Sequence, residues 1–213
     1  MASGQDGERE QILRVATQLF AALGYDGTTL GQIGDSAALD QQAVNAYFAS
    51  KRQLYVVVME QAHQLLASVL RQRAEDLRAA GPEDKPAALD RLIDGYIDLC
   101  AEHPEVPALW MHRWLSDASD IGDLEARYVR PLAEDVIDSI TPLARAAGAD
   151  PHYTIDSMIW CIHGFALSGV LDAAGRRRGP DDPRALRRFR AHLRQMVRRN
   201  LGLPDPATAR DSG

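Results

Sequence analysis

Apolar residues recur along the first part of the chain with the spacing of an amphipathic α-helix. Between residues 8 and 23 they fall three or four positions apart, a pattern that predicts a helix with one buried face: Ile12, Val15, Ala16, Leu19, Phe20 and Leu23. Gly24 follows, where a glycine commonly ends a helix. Two shorter helical segments are predicted at residues 30–37 and 41–48, and a tight turn of residues 38–40 separates them.

The starts of the two short helices carry sequence signals of their own. Thr29 and Gln32 have the spacing of a capping box, in which the two side chains bind backbone N–H groups at the helix start. Asp40 precedes the second short helix as an N-cap. Two short helices joined by a tight turn can place the second one in the major groove of DNA. The pattern therefore predicts a nucleic-acid-binding head.

The rest of the chain is predicted to be helical as well. A long helix covers residues 51–79, and a loop with Gly, Pro and charged residues follows at residues 80–86. Residues 153–174 are apolar nearly all round, and such a helix must be buried on several sides. Residues 184–200 have apolar side chains on one face and arginines on the other. These patterns indicate a second, all-helical domain, which the long helix connects to the head.

The first third of the chain resembles the TetR-type (TetR/AcrR) family of repressors. The resemblance covers about residues 6–66 and rests on an ordered set of residues: Ile12, Leu13, Ala16, Leu19, Phe20, Gly24, Tyr25, Thr28, Thr29, Ile33, Ala37, Leu39, Tyr47, Phe48, Ser50, Lys51 and Leu54. It implies an all-α fold of about nine helices, with a three-helix DNA-binding head before a helical domain for ligand binding and dimerisation. Two residues depart from the family pattern. Ala38 stands where the turn usually has glycine, and Asn45 stands where the recognition helix usually has tyrosine.

The resemblance also implies where the domains lie. The DNA-binding head is expected at residues 6–66, with the helix-turn-helix motif at about residues 29–48. The domain for ligand binding and dimerisation is expected at residues 67–203. We expect residues 1–5 and 204–213 to form flexible tails.

Three amide side chains lie near the N-terminal half of the predicted recognition helix: Gln41, Gln42 and Asn45. Such amides can pair with an adenine edge through two hydrogen bonds, worth about 1–3 kcal/mol of discrimination each. Tyr47 and Lys51 suit phosphate oxygens. Thr28 and Thr29 place hydroxyls beside a helix N-terminus, where a phosphate can bind. The resemblance implies DNA contacts at Thr29, Gln41, Gln42, Tyr47 and Lys51, whereas the alternative interpretation makes all of them ordinary capping and surface residues.

Two further sets of residues are candidates for ligand binding and dimerisation. Aromatic and sulfur-containing side chains often line pockets for small apolar molecules, and the candidates here are Tyr96, Cys100, Trp110, Met111, Trp114, Tyr128, Met158 and His163. Ordinary core packing is the alternative for each. The resemblance implies that the last two long helices pair with those of a second copy, with candidate contacts at Ile155, Ile159, Ile162, Leu186, Phe189, Leu193 and Met196. The alternative is that the apolar helix lies at the centre of its own domain.

The charge distribution is unusual for a DNA-binding protein. Residues 6–66 hold four basic and seven acidic side chains, a net charge of −3, whereas such heads are normally basic. We therefore expect weak non-specific DNA affinity with a modest salt dependence. Residues 67–175 carry a net charge of −10 and residues 176–199 carry +8. The arginines of the last helix could bind nucleic acid or balance the acidic body.

Other classes of function find little support in the sequence. Cys100 and Cys161 imply no disulfide framework. We expect no cofactor and no metal site, since Cys161 and His163 do not face each other on a helix. No apolar run is long enough to span a membrane, and the polar N-terminus lacks a signal core, so a cytoplasmic location is expected. Neither a Gly-rich phosphate loop nor a nucleophile motif is present, which disfavours an enzyme.

The sequence is therefore interpreted as that of a ligand-responsive, dimeric bacterial transcriptional regulator, in particular a repressor. Its expected partners are double-stranded operator DNA, a small-molecule effector and a second copy of the chain. Two alternatives remain open. One is a ligand- or protein-binding module of the same fold that has lost DNA recognition. The other is a helical enzyme that uses the second domain.

Overall fold

The computed structural model describes residues 2–204, with side chains from residue 6 onward. Nine α-helices account for most of these residues: α1 Ala2–Leu23, α2 Leu30–Ser36, α3 Gln41–Tyr47, α4 Lys51–Ala79, α5 Lys85–Glu102, α6 Glu105–Trp114, α7 Arg130–Ala147, α8 Pro151–Ser168 and α9 Pro183–Asn200. A π-helical turn, Glu125–Val129, precedes α7. An antiparallel hairpin of β1 Val170–Leu171 and β2 Arg177–Arg178 connects α8 to α9. The predicted all-α fold is confirmed, and the short hairpin was not predicted.

The first helix is longer than the sequence pattern predicted. Residues 2–5 were expected in a flexible tail, but α1 begins at Ala2. The side chains of residues 6–10 are exposed, so this part of α1 extends the helix without a buried face for the pattern to reveal. A second tail was expected at residues 204–213, and residues 205–213 of it lie outside the described part of the chain.

The chain folds into two compact units. The head unit contains the chain up to Leu65 together with Glu105–Tyr128. The core unit contains Leu66–Pro104 and the chain from Val129 onward. The boundary within α4 lies close to the expected one. The difference from the expected division is that α6 and the segment after it cluster with the head.

An aromatic cluster lies inside the head unit. Phe20 of α1 meets Tyr55 of α4 edge to face, with ring centroids 5.1 Å apart, and the Tyr25 ring lies 4.8 Å from that of Tyr55. Of the predicted apolar face of α1, Ile12, Ala16 and Phe20 are fully enclosed here, whereas Leu23 at the end of the helix is 49% exposed. α1 packs against both α2 and α6, so it supports the first of the two short helices from behind.

The core unit is built around α8. This helix packs against α5, α7 and α9, and Phe165 of α8 stacks on Phe189 of α9 with ring centroids 4.1 Å apart. α7 begins with Pro131 in its first turn, where the missing N–H costs nothing. Within residues 2–204, no helix is both long and apolar enough to cross a membrane.

A ladder of ion pairs connects α5 and α9. The pairs are Arg198 with Asp90, Arg194 with Asp94, and Arg190 with Asp94 and Asp98. Both sets recur every four residues, so each lies along one side of its helix. Arg198 is the most enclosed, with a side chain 7% exposed and bonds of 2.8 and 2.7 Å to the two oxygens of Asp90. These three arginines thus balance acidic side chains of their own chain.

Candidate nucleic-acid interface

Side-chain caps fix the starts of α2 and α3. The Thr29 hydroxyl accepts from the Gln32 N–H at 3.2 Å, and Gln32 Oε1 accepts from the Thr29 N–H at 2.8 Å, so the predicted capping box is confirmed. Asp40 Oδ1 accepts from the Ala43 N–H at 2.7 Å, which confirms the predicted N-cap. Each cap satisfies a backbone N–H that a helix start leaves without a partner. α3 therefore begins at a defined position and in a defined direction.

The turn between α2 and α3 has the left-handed backbone that favours glycine. Ala38 has a φ of +54°, and the turn closes with a bond of 2.9 Å from the Leu39 N–H to the Gly34 carbonyl. Gly34 allows this close approach, since a Cβ there would lie 2.9 Å from the Leu39 carbonyl oxygen. The departure at Ala38 thus leaves the turn geometry in place, and alanine adopts it at a steric cost.

We expect Ala38→Gly to raise the free energy of unfolding by about 1 kcal/mol, because glycine adopts positive φ without strain. The Ala38 side chain is exposed, so little packing is lost. Urea denaturation of the full chain measures the change. Ala46→Gly, at an exposed alanine of α3, is the matched control and should lower the free energy of unfolding by a similar amount. Destabilisation by both substitutions alike would contradict the expectation.

An exposed row of amides lies along α3. Gln41, Gln42 and Asn45 are all exposed, whereas Val44 of the same helix is fully buried and anchors it to the head. The structure therefore brings the three predicted base contacts together on one accessible surface, called here the amide face (Gln41, Gln42 and Asn45). Amides in the N-terminal half of an exposed helix are well placed to reach base edges in a major groove.

Two of the predicted DNA contacts are engaged within the head unit. Thr28 is fully buried and donates its hydroxyl to the Gly24 carbonyl at 2.7 Å. The expected DNA contact at Thr28 is therefore corrected: its side chain stabilises the turn before α2. Tyr47 is half-buried and donates its hydroxyl to the Glu8 carboxylate at 2.7 Å, a bond that raises the pKa of Tyr47.

Lys51 and Thr29 lie at the starts of their helices. The Lys51 ammonium donates to the carbonyls of Tyr25 and Thr28 at 2.8 and 2.9 Å and lies 4.1 Å from the centre of the Tyr25 ring. Lysine has three N–H donors, so two of them already hold the turn between α1 and α2. Thr29 is exposed at the start of α2, where the predicted phosphate contact is sterically open.

The eight candidate ligand contacts divide between the two units. Trp110, Met111, Trp114 and Tyr128 belong to the head unit, and Tyr96, Cys100, Met158 and His163 belong to the core unit. Trp110 Nε1 and Tyr128 Oη are buried and have no hydrogen-bond partner within the described part of the chain. Buried polar atoms without a partner in the protein are uncommon.

A buried hydrogen bond joins α5 and α8 in the core unit. Tyr96 Oη lies 2.6 Å from His163 Nε2, and both side chains are buried. Burial raises the pKa of Tyr96 well above its usual value and lowers the pKa of His163 to about 4. Burial likewise raises the pKa of the Cys100 thiol to about 12. At neutral pH these three groups are therefore uncharged, an environment that suits a neutral molecule better than an ion.

The buried histidine makes the stability of the core unit depend on pH. His163 is neutral in both states above pH 6.5, and between pH 6.5 and about 4 only the unfolded chain binds its proton. The free energy of unfolding should therefore fall by about 1.4 kcal/mol for each unit by which the pH is lowered through this range. Urea unfolding at several pH values measures the slope, which His163→Gln should flatten. His152→Gln changes an exposed histidine of α8 and should keep the slope; equal slopes in both variants would contradict the assignment.

Three of the seven predicted dimer contacts are buried inside the core unit. Ile155, Ile162 and Leu193 are only 2, 1 and 1% exposed. The remaining four are half-buried: Ile159, Leu186, Phe189 and Met196. The expectation is therefore corrected for the three buried residues, because they fill the core of their own subunit. The interpretation that α8 lies at the centre of its own domain is right for this face of the helix.

A second apolar face of α8 is exposed. Tyr153, Trp160 and Leu167 have 74, 51 and 40% of their surface accessible. Between them lies Gly164, where a Cβ would meet no atom within 4 Å. We call these four residues the outer face of α8. The predicted dimer contacts do not include these residues, although the spacing of seven residues between the three large side chains was a usable signal.

Comparison with known proteins relates this architecture to a family. The sequence model described as "Bacterial regulatory proteins, tetR family" matches residues 12–58. The HTH-type transcriptional regulator RutR of Escherichia coli is 27% identical over 158 residues, which cover 72% of this chain and 70% of RutR. The HTH-type transcriptional repressor NicS of Pseudomonas putida is 25% identical over 170 residues, covering 80% and 76% of the two chains.

The fold is shared with solved structures over nearly the whole chain. The crystal structure of AibR in complex with isovaleryl coenzyme A and operator DNA matches with a TM-score of 0.69 at 16% identity, and covers 89% of this chain and 97% of AibR. The sequence relatives are transcriptional regulators, in agreement with the prediction of a non-enzymatic protein. The capped helix-turn-helix and the matched sequence model lead to one conclusion: residues 12–58 form a helix-turn-helix head of the tetR family of bacterial regulatory proteins, in a chain that shares its fold with AibR.

Proposed function

We propose that the protein is a homodimeric transcriptional repressor that leaves its operator when a small molecule binds. The amide face of α3 carries the proposal. Three exposed amides lie on a short helix whose N-cap and buried Val44 hold it in place. In this proposal residues 6–66 bind DNA, and residues 67–203 bind the effector and a second copy.

The amide face would read bases, and its neighbours would bind phosphates. Glutamine and asparagine donate to and accept from an adenine edge at once, which gives each pairing its discrimination. Thr29, Tyr47 and the remaining donor of Lys51 would contact phosphates and set the register of the head on the duplex. Because the head is acidic, most of its affinity has to come from such specific contacts and not from a general attraction to DNA.

The outer face of α8 supports a dimer of identical chains. Large apolar residues are exposed there together with an open glycine, and contiguous apolar surface of this kind marks an interaction site. A two-fold axis through this face would bring the same surface of both copies together. Two heads related by that axis would bind successive major grooves of a pseudo-palindromic operator, about 34–36 Å or a little more apart.

The effector is proposed to bind among the candidate ligand contacts of the core unit, Tyr96, Cys100, Met158 and His163. The buried pair Tyr96–His163 is uncharged at neutral pH, since burial raises the pKa of Tyr96 and lowers that of His163, and such surroundings suit an uncharged or weakly polar molecule. To act, the effector has to bind the conformation that does not fit DNA more tightly than the one that does. The fold is compatible with both partners, since AibR was crystallised with isovaleryl coenzyme A and operator DNA. A protein that acts on the bacterial chromosome would reside in the cytoplasm.

A second candidate function follows from the acidity of the head. Asp35 and Asp40 are exposed within the helix-turn-helix motif, and the Tyr47 hydroxyl donates to the Glu8 carboxylate. A head of this charge could belong to a sensor that has kept the fold and lost DNA recognition. Such a protein would bind its ligand without binding any duplex.

Selection from a random-sequence duplex library, followed by gel shift on the enriched sequences, tests both candidates. The repressor should enrich a palindrome and retard it with a Kd of about 10 nM or lower. Repeating the titration at several salt concentrations should give a shallow slope, because few phosphates are neutralised. A library that stays unenriched after repeated rounds at low salt would favour the sensor and contradict the repressor.

A further inference from the structure

One carboxylate of the head unit holds the turn that leads into the helix-turn-helix. Asp117 lies in the segment after α6, and its two oxygens accept from two consecutive backbone N–H groups. Oδ2 accepts from Tyr25 at 2.6 Å and Oδ1 accepts from Asp26 at 2.9 Å. The approach is close, since a Cβ on Gly24 would lie 2.9 Å from Asp117 Oδ1. A side chain at residue 24 would thus displace the carboxylate.

The same turn is held from its carbonyl side by Lys51. The ammonium donates to the carbonyls of Tyr25 and Thr28, while the Asp117 carboxylate accepts from the N–H groups. Both are charge-assisted hydrogen bonds, which are stronger than neutral ones. The peptide group between Tyr25 and Asp26 is bound at both ends, its N–H by the Asp117 carboxylate and its carbonyl by the Lys51 ammonium. Thr29, the N-cap of α2, follows directly, so the position of this turn sets where α2 begins.

The segment that carries Asp117 is strained and locked. The residues on either side of it, Ser116 and Ala118, have φ of +75° and +53°, values that cost a residue with a side chain about 1–2 kcal/mol each. Arg113 keeps the segment in this shape, because it donates to the Ala118 carbonyl at 2.5 Å and binds both oxygens of Glu125 at 2.8 Å. A strained loop persists only where its surroundings determine it.

We propose that Asp117 is a positioning residue for operator binding, which acts by fastening residues 25–26 and thereby the start of α2. The inference rests on the proposed function. Asp117 lies outside the helix-turn-helix, about ninety positions after the turn that it binds, yet the geometry of that motif depends on it. When the carboxylate is lost, the turn gains freedom, the N-cap of α2 moves with it, and the two short helices no longer present the amide face at a fixed angle.

Three variants distinguish the effect of the two hydrogen bonds from the effect of the negative charge. They are Asp117→Ala, Asp117→Asn and the control Asp120→Ala. Asp120 is exposed three residues further on. Burial is the main cause that raises the pKa of Tyr25, and the negative charges of Asp120 and Asp117 raise it further. Asp120 therefore lies near the same turn. Asp120→Ala therefore removes an equal charge there and leaves the two hydrogen bonds intact. Asp117→Asn keeps one side-chain oxygen as an acceptor, but it places an NH₂ donor opposite the second backbone N–H, so that bond is lost.

The variants are compared by hydrogen exchange of the Tyr25 and Asp26 amides and by affinity for the selected operator, at a temperature where all remain folded by circular dichroism. We expect Asp117→Ala to lower both amide protection and operator affinity at least about tenfold, Asp117→Asn to fall between, and Asp120→Ala to match the parent protein. If the amides of Tyr25 and Asp26 exchange at the same rate in Asp117→Ala as in the parent protein, Asp117 does not hold the turn. This outcome can be read whether or not an operator has been found. Lower protection with operator affinity unchanged would overturn the link to DNA binding. Failure of the parent protein itself to bind any selected duplex would instead remove the proposed function.

Discussion

The double substitution Trp160→Glu and Leu167→Glu is expected to convert the protein into a monomer and to weaken operator binding about a thousandfold. The two residues lie seven positions apart on the outer face of α8, with Gly164 between them, and are 51 and 40% exposed in the single chain. Their replacement should therefore leave the fold of the subunit intact. In a dimer each glutamate would be buried without a partner, which costs several kcal/mol.

The loss of affinity follows from the loss of the second head. A dimer binds its second half-site as an intramolecular event, which strengthens overall binding by about 10²–10⁴. Light scattering after size-exclusion chromatography gives the mass, and gel shift on the selected operator gives the affinity. Leu115→Glu is the matched control, because Leu115 is 71% exposed and belongs to the head unit and not to α8. A double variant that still has the mass of a dimer would exclude this face as the interface.

Removal of the amide face should have an effect of similar size. We expect the triple substitution Gln41→Ala, Gln42→Ala and Asn45→Ala to lower affinity for the selected operator by about 10³, down to the level of non-specific binding. The salt dependence should change little, since phosphate contacts remain. The fold should persist, because all three side chains are exposed and alanine is the best helix former.

The control for the triple variant is Gln64→Ala, which removes an exposed amide of α4. It should bind the operator like the parent protein. Competition with unrelated duplex separates specific from non-specific affinity in both variants. If the triple variant still prefers its operator over unrelated DNA by the original ratio, the bases are read elsewhere and the amide face is not the recognition surface.

Local sequence patterns were sufficient for much of the head. The capping box of Thr29 and Gln32, the N-cap Asp40 and the left-handed backbone at Ala38 all depend on contacts within a few residues. Such contacts are set by neighbouring residues along the chain. For the same reason the exposed position of Gln41, Gln42 and Asn45 could be anticipated. The periodicity of α1 likewise showed which of its sides is buried.

Contacts between distant residues were beyond local patterns. Thr28 looked like a phosphate contact, yet its hydroxyl is enclosed beside Gly24. Asp117 carries no motif at all, because its partners lie some ninety residues earlier. The ladder between α5 and α9 is a mixed case. The spacing of four between its aspartates and between its arginines was visible in the sequence, but the pairing of the two sets depends on how the helices pack.

The sequence by itself determined that this protein is all-helical, that it carries a helix-turn-helix near its N-terminus, and that amides line the second of the two short helices. These follow from periodicity and capping, which act over one or two helical turns. Only the tertiary structure decided which of the two apolar faces of α8 fills the core and which remains exposed, and that Asp117 holds the turn before α2. A helix that is apolar nearly all round contains no local signal for its inner side, because packing against α5, α7 and α9 makes that choice.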